Sequence, residues 1–165
     1  MESIHLYKIM KKRNNYIDWD TYFLAMVELN AMRSKDPNTQ VGAVVVNDLK
    51  HIIASGYNGL PRGLNDDDFP WSREGKWEET KYPYVVHAEA NAILSATFSV
   101  RGCTMYTSQF PCYECAKTIV QAGITKVIYS DNKYKDTIQN QVSKKILTTA
   151  KVDLVYKKAI KVIIE

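Results

Sequence analysis

The chain has 165 residues, of which 45% are hydrophobic and 24% are charged. These values are typical of a globular protein, and we predict a single domain over residues 1–165. Charges interrupt the apolar positions of the first 20 residues. This excludes a signal peptide or a membrane span there, so we expect a cytoplasmic or nuclear protein, and of the two we predict cytoplasmic. The formal net charge of +4 suits an anionic ligand but does not identify one.

The first part of the chain predicts one helix followed by a β-hairpin. Apolar residues recur at helical spacing after Asp18 and Asp20, either of which suits the N-cap, and the pattern stops before Pro37. Two runs rich in β-branched residues follow at 39–48 and 51–58, separated by a short polar turn. Such a pair of runs indicates two antiparallel strands.

The second part of the chain alternates helices with strands. It follows a stretch at 56–84 that is rich in glycine, proline and aspartate and shows no periodicity, which is long for a loop and typical of functional or disordered segments. The predicted helices cover 87–97, 112–123 and 137–150, and the predicted strands cover 103–109, 125–130 and 152–157. This alternation predicts an α/β fold, in which helices cover a sheet.

Two cysteines, Cys112 and Cys115, open the second of these helices. At about 100° per residue they share one face of the helix, so both sulfur atoms can reach one point. Pro111 fixes the chain just before them, and the positive end of the helix dipole favours their thiolate forms, which bind metals. Taken alone, the pair is also consistent with a thioredoxin-like redox motif or with chance.

His87 and Glu89 open the preceding helix, but two residues apart they would point to nearly opposite sides of a regular helix. Both can face one site only if His87 lies in the first turn or just outside it. One imidazole and two thiolates suit Zn²⁺, and three protein ligands leave the fourth position for water, as in catalytic sites. The spare candidates for a fourth ligand are Cys103, His5 and His51, and we expect Cys103 not to be a ligand.

The order H-x-E and then P-C-x-x-C, each at a helix start with one strand between them, is the signature of zinc nucleobase deaminases. Four blocks extend the match: RSKDPNTQVGAVVVN at 33–47, SGYNGLPRG at 55–63, TKYPYVVHAEANAI at 80–93 and FPCYECAKTIVQAGITKVIYSDNKY at 110–134. Together they resemble the deoxycytidylate (dCMP) deaminases, apart from residues 1–15, which stay unassigned. The resemblance implies a three-layer α/β/α cytidine deaminase-like domain with a central mixed five-stranded sheet.

The resemblance also implies a reaction: hydrolysis of dCMP to dUMP with release of ammonia, which would supply dUMP for thymidylate synthesis. The expected zinc ligands are His87, Cys112 and Cys115. Zinc lowers the pKa of water, so that hydroxide for attack on C4 of the cytosine ring exists near neutral pH. Glu89 is the expected proton carrier, from water to ring N3 and then to the departing amine. The alternative for Glu89 is an exposed glutamate stabilised by the helix dipole.

Contacts to the nucleotide are implied in the same way. The resemblance places the backbone of Ala88 and Pro111 beside the base, with Tyr134 nearby. It places Asn58 on a sugar hydroxyl, although an ordinary Asn-Gly turn is the alternative for this dipeptide.

Basic residues near these blocks are the candidates for the phosphate. Arg33 and Lys35, together with Arg62, are the nearest ones in the sequence. Each of them is also consistent with an ordinary surface charge.

Regulation is implied by the resemblance, because many deoxycytidylate deaminases are hexamers activated by dCTP with Mg²⁺ and inhibited by dTTP. Their effector region resembles GYNGLPRGLNDDD in this chain. The expected effector-binding residues are Gly59, Arg62, Asp66, Asp67 and Asp68. The three carboxylates follow closely on Asn58 and are suited to a hydrated Mg²⁺ that carries a triphosphate. The alternative is a solvated acidic loop.

A second hypothesis is a deaminase of tRNA or single-stranded DNA, or a relative that only binds nucleic acid. Such a protein needs a basic groove interleaved with aromatic residues. Here the long loop is acidic (NDDDF), and only Arg73 and Lys76 lie among the aromatic residues Phe69, Trp71 and Trp77. Nucleic acid is therefore disfavoured as a partner. A purely structural zinc module is the third alternative.

Overall fold

The computed structural model describes residues 11–165 and contains a five-stranded mixed sheet covered by four helices. His5 lies outside the described residues. The helices are α1 Trp19–Ala31, α2 Ala88–Ser95, α3 Tyr113–Ala122 and α4 Ile138–Thr149. The strands are β1 Gly42–Val46, β2 Ile52–Tyr57, β3 Thr104–Thr107, β4 Lys126–Tyr129 and β5 Asp153–Tyr156. Every helix and strand predicted from the sequence is present, most of them shorter than predicted.

The strands lie in the order β2-β1-β3-β4-β5. β1 pairs antiparallel with both β2 and β3, whereas β3, β4 and β5 run parallel to one another. Parallel neighbours need a crossover connection, which α3 and α4 provide. The carboxyl ends of β3 and β4 therefore lie at one edge of the sheet, where α/β folds place their ligands.

Helices cover both faces of the sheet, which confirms the three-layer α/β/α architecture. On one face, Phe23 and Val27 of α1 pack with Val44 and Tyr106. On the other face, the apolar sides of α2, α3 and α4 form a larger core with the sheet. Asp18 begins α1 by accepting a hydrogen bond from the backbone N–H of Thr21 at 2.9 Å.

The long aperiodic stretch is an ordered loop that contains two short 3₁₀ helices, Asp66–Asp68 and Trp77–Glu79. A bridge between Gly59 and Val86 joins its two ends. The indole N–H of Trp71 donates to the carbonyl oxygen of Asp66 at 3.0 Å, which ties the middle of the loop together. Within residues 11–165, no helix has the length and apolar character needed to cross a membrane.

Candidate active site

Two helix N-termini meet at one end of the sheet. His87 is the N-cap of α2 and Cys112 is the N-cap of α3, and both residues have extended backbones. His87 therefore lies just outside its helix, as its spacing from Glu89 requires. The His87 Nδ1 atom lies 3.3 Å from Cys112 Sγ and 3.5 Å from Cys115 Sγ. The two sequence motifs thus form one cluster.

Small residues and local hydrogen bonds hold the two helices in place. A side chain at Gly56 in β2 would come within 2.6 Å of the carbonyl oxygen of Ala88, so glycine is what allows α2 to approach the sheet this closely. At α3, the backbone N–H of Cys115 donates to Cys112 Sγ at 3.5 Å. The hydroxyl of Ser143 donates to the carbonyl oxygen of Pro111 at 2.7 Å, which links α4 to the turn before Cys112.

The three side chains fit a zinc ion. Their ligand atoms all lie within 4.8 Å of one another. Bonds of about 2.0–2.3 Å in a tetrahedral site hold such atoms about 3.5 Å apart, close to the separations from His87 Nδ1. Within residues 11–165, no other three His, Cys, Asp or Glu side chains are grouped in this way. Cys103 is 5% exposed and packs in the core, and neither it nor the exposed His51 belongs to the cluster.

Glu89 lies beside this cluster without being part of it. Glu89 is 4% exposed, and the Cys115 thiol donates to Glu89 Oε2 at 3.6 Å. Burial raises the pKa of Glu89 above that of an ordinary glutamate. A buried carboxyl with a raised pKa is suited to accept a proton and to return it near neutral pH. The exposed glutamate considered from the sequence is therefore not what the structure contains.

Hydrogen bonds and burial shift the pKa values of the three side chains in different directions. The hydrogen bond from Cys115 lowers the pKa of the Cys112 thiol, and His87 adds to this effect. The same shared hydrogen bond, together with burial, raises the pKa of Cys115. The hydrogen bond to Cys112 raises the pKa of His87 to about 9. Thiolate is the form of cysteine that binds metals, and Cys112 reaches this form more easily than Cys115 because its pKa is lower.

A cavity of about 410 Å³ opens onto this cluster, within the range usual for small-molecule sites. Of the residues predicted from the sequence to contact substrate, Asn58, Ala88 and Tyr134 line it together with Glu89. Pro111 is fully buried and does not line the cavity.

Asn58 is held by the protein on both sides of its amide. Its Oδ1 accepts from the backbone N–H of Val41 at 2.8 Å, and its Nδ2 donates to the carbonyl oxygen of Thr39 at 2.9 Å and to Asp36 at 3.4 Å. The side chain is only 6% exposed. Asn58 is thus more than a turn residue, because its amide has one fixed orientation in the cavity wall.

A buried ion pair supports this asparagine. Lys81 donates to the carboxylate of Asp36, and both side chains are almost fully buried and line the cavity. Burial opposes ionisation of Asp36, but hydrogen bonds from Lys81 and from the N–H groups of Asn38 and Thr39 lower its pKa overall. Sequence reasoning missed both residues, although Asp36 and Lys81 belong to the blocks that carry the family resemblance.

The predicted phosphate candidates lie elsewhere. Lys35 is exposed and pairs with Asp66 of the first 3₁₀ helix, and Arg33 is also exposed. Neither lines the cavity, and the same holds for Arg62. The cavity instead contains Arg73, from a segment that the sequence gave no reason to select.

The remaining effector candidates are also outside the cavity. Asp66, Asp67 and Asp68 form the first 3₁₀ helix, and Gly59 lies at the start of the loop.

Known proteins of similar sequence indicate the same kind of zinc site. Residues 17–131 match the family model for the cytidine and deoxycytidylate deaminase zinc-binding region. The human deoxycytidylate deaminase is 49% identical over 144 residues, covering 86% of this chain and 81% of the human protein. The enzyme of the same name from Pongo abelii is 54% identical and covers 77% of this chain and 72% of its own length.

A solved structure shares the fold. The dCMP deaminase from the cyanophage S-TIM5 in complex with dCMP and dUMP aligns with a TM-score of 0.67 and 29% identity, covering 84% of this chain and 96% of the phage chain. The fold and the His-Cys-Cys cluster with its neighbouring glutamate define a zinc-binding hydrolytic deaminase. The chain belongs to the cytidine and deoxycytidylate deaminase family.

Proposed function

We propose that this protein hydrolyses dCMP to dUMP and ammonia. The observation that carries the proposal is the buried Glu89 carboxyl, 3.6 Å from the Cys115 sulfur in a cavity that also contains Asn58. Support comes from the relatives named deoxycytidylate deaminase and from the phage enzyme that binds dCMP and dUMP. The chemistry requires a proton carrier beside the metal, and the side chains at the cluster meet this requirement.

Glu89 performs the proton transfers. When bound by His87, Cys112 and Cys115, zinc supplies the Lewis acid that makes water reactive near neutral pH. The Glu89 carboxylate takes a proton from this water and delivers it to N3 of the cytosine ring. Once the oxygen of this water has added to C4, the same carboxylate takes the second proton from the new hydroxyl group at C4 and gives it to the amine. The C4–N bond then breaks, so that ammonia leaves and C4 becomes the carbonyl carbon of dUMP. Burial raises the pKa of Glu89, which favours its protonated form as the donor in these transfers.

The other predicted contacts orient the nucleotide. Ala88 is the first residue of α2, where backbone N–H groups are free to bind the base. The fixed amide of Asn58 is suited to the deoxyribose hydroxyl, and Tyr134 to packing beside the base. Pro111 acts through the turn that it fixes before Cys112.

Several finer properties belong to the same proposal. We propose that the enzyme is cytoplasmic, that it supplies dUMP for thymidylate synthesis, and that it forms a homo-oligomer, a hexamer by resemblance. We also propose activation by dCTP with Mg²⁺ and inhibition by dTTP. The ion pair between Lys35 and Asp66 supports regulation, because it connects the acidic loop to the segment that holds Asn58.

Ammonia release measured on a substrate panel tests the assignment. The panel contains cytidine, deoxycytidine, CMP, dCMP, dCTP and a cytosine-containing oligonucleotide. We expect the highest kcat/KM for dCMP, with Glu89→Gln as the inactive control. A preference for the oligonucleotide would replace the proposal with the polynucleotide hypothesis, and a preference for dCTP would change the assigned substrate.

A further inference from the structure

An arginine lies at the open end of the cavity. Arg73 lines the cavity together with Tyr82 and Tyr134. Its Nε–H donates to the Tyr82 hydroxyl at 3.3 Å. The Tyr82 ring is itself stacked on Trp77, with ring centroids 6.2 Å apart and an interplanar angle of 10°. The guanidinium is thus oriented by a neighbour that is itself held in place.

The charge of Arg73 is available to a ligand. The other lysine or arginine in the cavity wall is Lys81, whose charge is neutralised by Asp36. Arg73 forms no ion pair with any residue in the described range 11–165. Because Tyr82 engages Nε, the two terminal nitrogens remain free to make the paired hydrogen bonds by which arginine recognises phosphate. The Lys133 ammonium, 5.0 Å from the Tyr134 ring, adds positive charge nearby.

Exposure to solvent increases along the cavity, from the buried end beside the zinc cluster to the open end. Glu89 and Asn58 are 4% and 6% exposed, whereas Tyr82 and Tyr134 are both 47% exposed. The reacting base must reach Glu89, and Asn58 is suited to the sugar. The 5′-phosphate is at the opposite end of a nucleotide from the base, and a dianion is least costly to bind where water still reaches it. This places the phosphate on the side of Arg73.

We propose that Arg73, oriented by the Tyr82 hydroxyl, binds the 5′-phosphate of the substrate and is the residue by which the enzyme prefers dCMP to deoxycytidine. The inference rests on the proposed function and deepens it. It also assigns the phosphate to a different cation from Arg33 and Lys35, which the sequence had suggested.

The test compares dCMP with deoxycytidine in the wild type and in Arg73→Gln. We expect Arg73→Gln to lower kcat/KM for dCMP at least about tenfold, mainly through KM, since it removes a charge-assisted phosphate contact. Deoxycytidine turnover should stay at the wild-type level. Binding of dUMP should weaken by a similar factor, whereas binding of deoxyuridine should not change. Arg101→Gln is the matched control. Arg101 is exposed and lies before β3, at the end of the strand away from the cavity, so its substitution should change kcat/KM for neither substrate.

The outcomes separate the inference from the function on which it rests. An equal loss on dCMP and deoxycytidine would mean a structural role for Arg73 and would overturn the inference, as would no loss on either. If Lys35→Gln or Arg33→Gln lost the preference for dCMP while Arg73→Gln kept it, the phosphate would be assigned to Lys35 or Arg33 instead. If the wild type does not deaminate dCMP, the proposed function fails, and the inference fails with it. Arg73→Lys, which keeps the charge but not the paired geometry, should give an intermediate loss if the inference is correct.

Discussion

The two ends of the cavity are built in different ways. At the buried end, the side chains of the zinc cluster and Glu89 come from two helix N-termini and contact one another directly. At the open end, Arg73 and Tyr82 come from the long loop and Tyr134 from the segment between β4 and α4, and all three are exposed to solvent. Under the proposed function, the buried end performs the chemistry and the open end recognises the nucleotide. Changes at the buried end should affect metal content and kcat, and changes at the open end should affect KM and selectivity.

Removal of a zinc ligand is the most severe test of the buried end. Cys112→Ser should lose both bound zinc and all measurable turnover, because hydroxyl oxygen is a poor substitute for thiolate. Metal analysis of the purified proteins should give about one zinc per chain for the wild type and much less for the variant. Cys103→Ser is the control, since Cys103 is buried in the core away from the cluster. Loss of zinc from Cys103→Ser would contradict the ligand assignment.

Glu89→Gln tests whether the buried end separates metal binding from proton transfer. The variant should keep its zinc and its fold, while kcat falls by more than the roughly 10²-fold that general acid–base catalysis supplies. The matched control is Glu114→Gln. Glu114 occupies the same first-turn position in α3 but is exposed and paired with Lys117 on the surface. Near-normal turnover by Glu89→Gln would refute the mechanism, and so would a comparable loss in Glu114→Gln.

The same contrast explains what could be predicted from the sequence. The buried end could be predicted because its geometry is local: the spacing of Cys112 from Cys115 and of His87 from Glu89 determines which side chains can share a site. The succession of helices and strands along the chain followed from hydrophobic periodicity for a similar reason, whereas periodicity did not give the order of the strands in the sheet. The open end depends on the path of an aperiodic loop, so the sequence could not place Arg73.

The positions of the charged residues show most clearly what could not be predicted from the sequence. Arg33 and Lys35 are phosphate candidates in the sequence because they lie in a block that resembles the family. In the structure, Lys35 pairs with Asp66 and neither cation lines the cavity. Lys81 was overlooked because a lone lysine in a sequence usually indicates a solvated surface. Its burial arises only from the long-range pairing with Asp36.

The buried Lys81–Asp36 pair lies in the cavity wall, and its contribution to the free energy of unfolding can be tested. Asp36→Asn would leave a buried lysine without its counter-charge and should destabilise the fold by about 3 kcal/mol in urea unfolding at pH 7. Asp153→Asn is the control, since it breaks an exposed pair with Lys126 and should cost less than about 1 kcal/mol. Equal effects of the two substitutions would show that the buried pair does not support the cavity wall.

The pH dependence of this effect has a definite sign. The pKa of Asp36 is lowered by folding, so its contribution is fully present above the ordinary value of 3.8 and is lost as the pH falls through the lower folded-state value. The difference in unfolding free energy between the wild type and Asp36→Asn should therefore shrink below pH 3.8. A difference that grows on acidification would contradict the assignment.

The smallest expected effect concerns communication from the acidic loop to the substrate cavity. Asp67 and Asp68 are exposed, and Asp66 pairs with Lys35. If dCTP with Mg²⁺ binds this loop, it should lower the dCMP concentration at half-saturation several-fold, within the about 5–150-fold range usual for coupled sites. Initial-rate curves with and without dCTP, Mg²⁺ and dTTP measure this directly.

A variant of the loop separates coupling from catalysis. Asp67→Asn combined with Asp68→Asn should weaken the response to dCTP and Mg²⁺, because carboxylates are the ligands that a hydrated Mg²⁺ prefers. Asp48→Asn, at the exposed hairpin turn, should respond as the wild type does. Coupling between binding sites is reciprocal, so dCMP must tighten dCTP by the same factor. Identical dCMP curves with and without dCTP, together with no inhibition by dTTP, would remove the regulatory proposal. Such a result would leave the deaminase chemistry of the buried end intact, because Glu89 and the zinc cluster make no use of the loop aspartates.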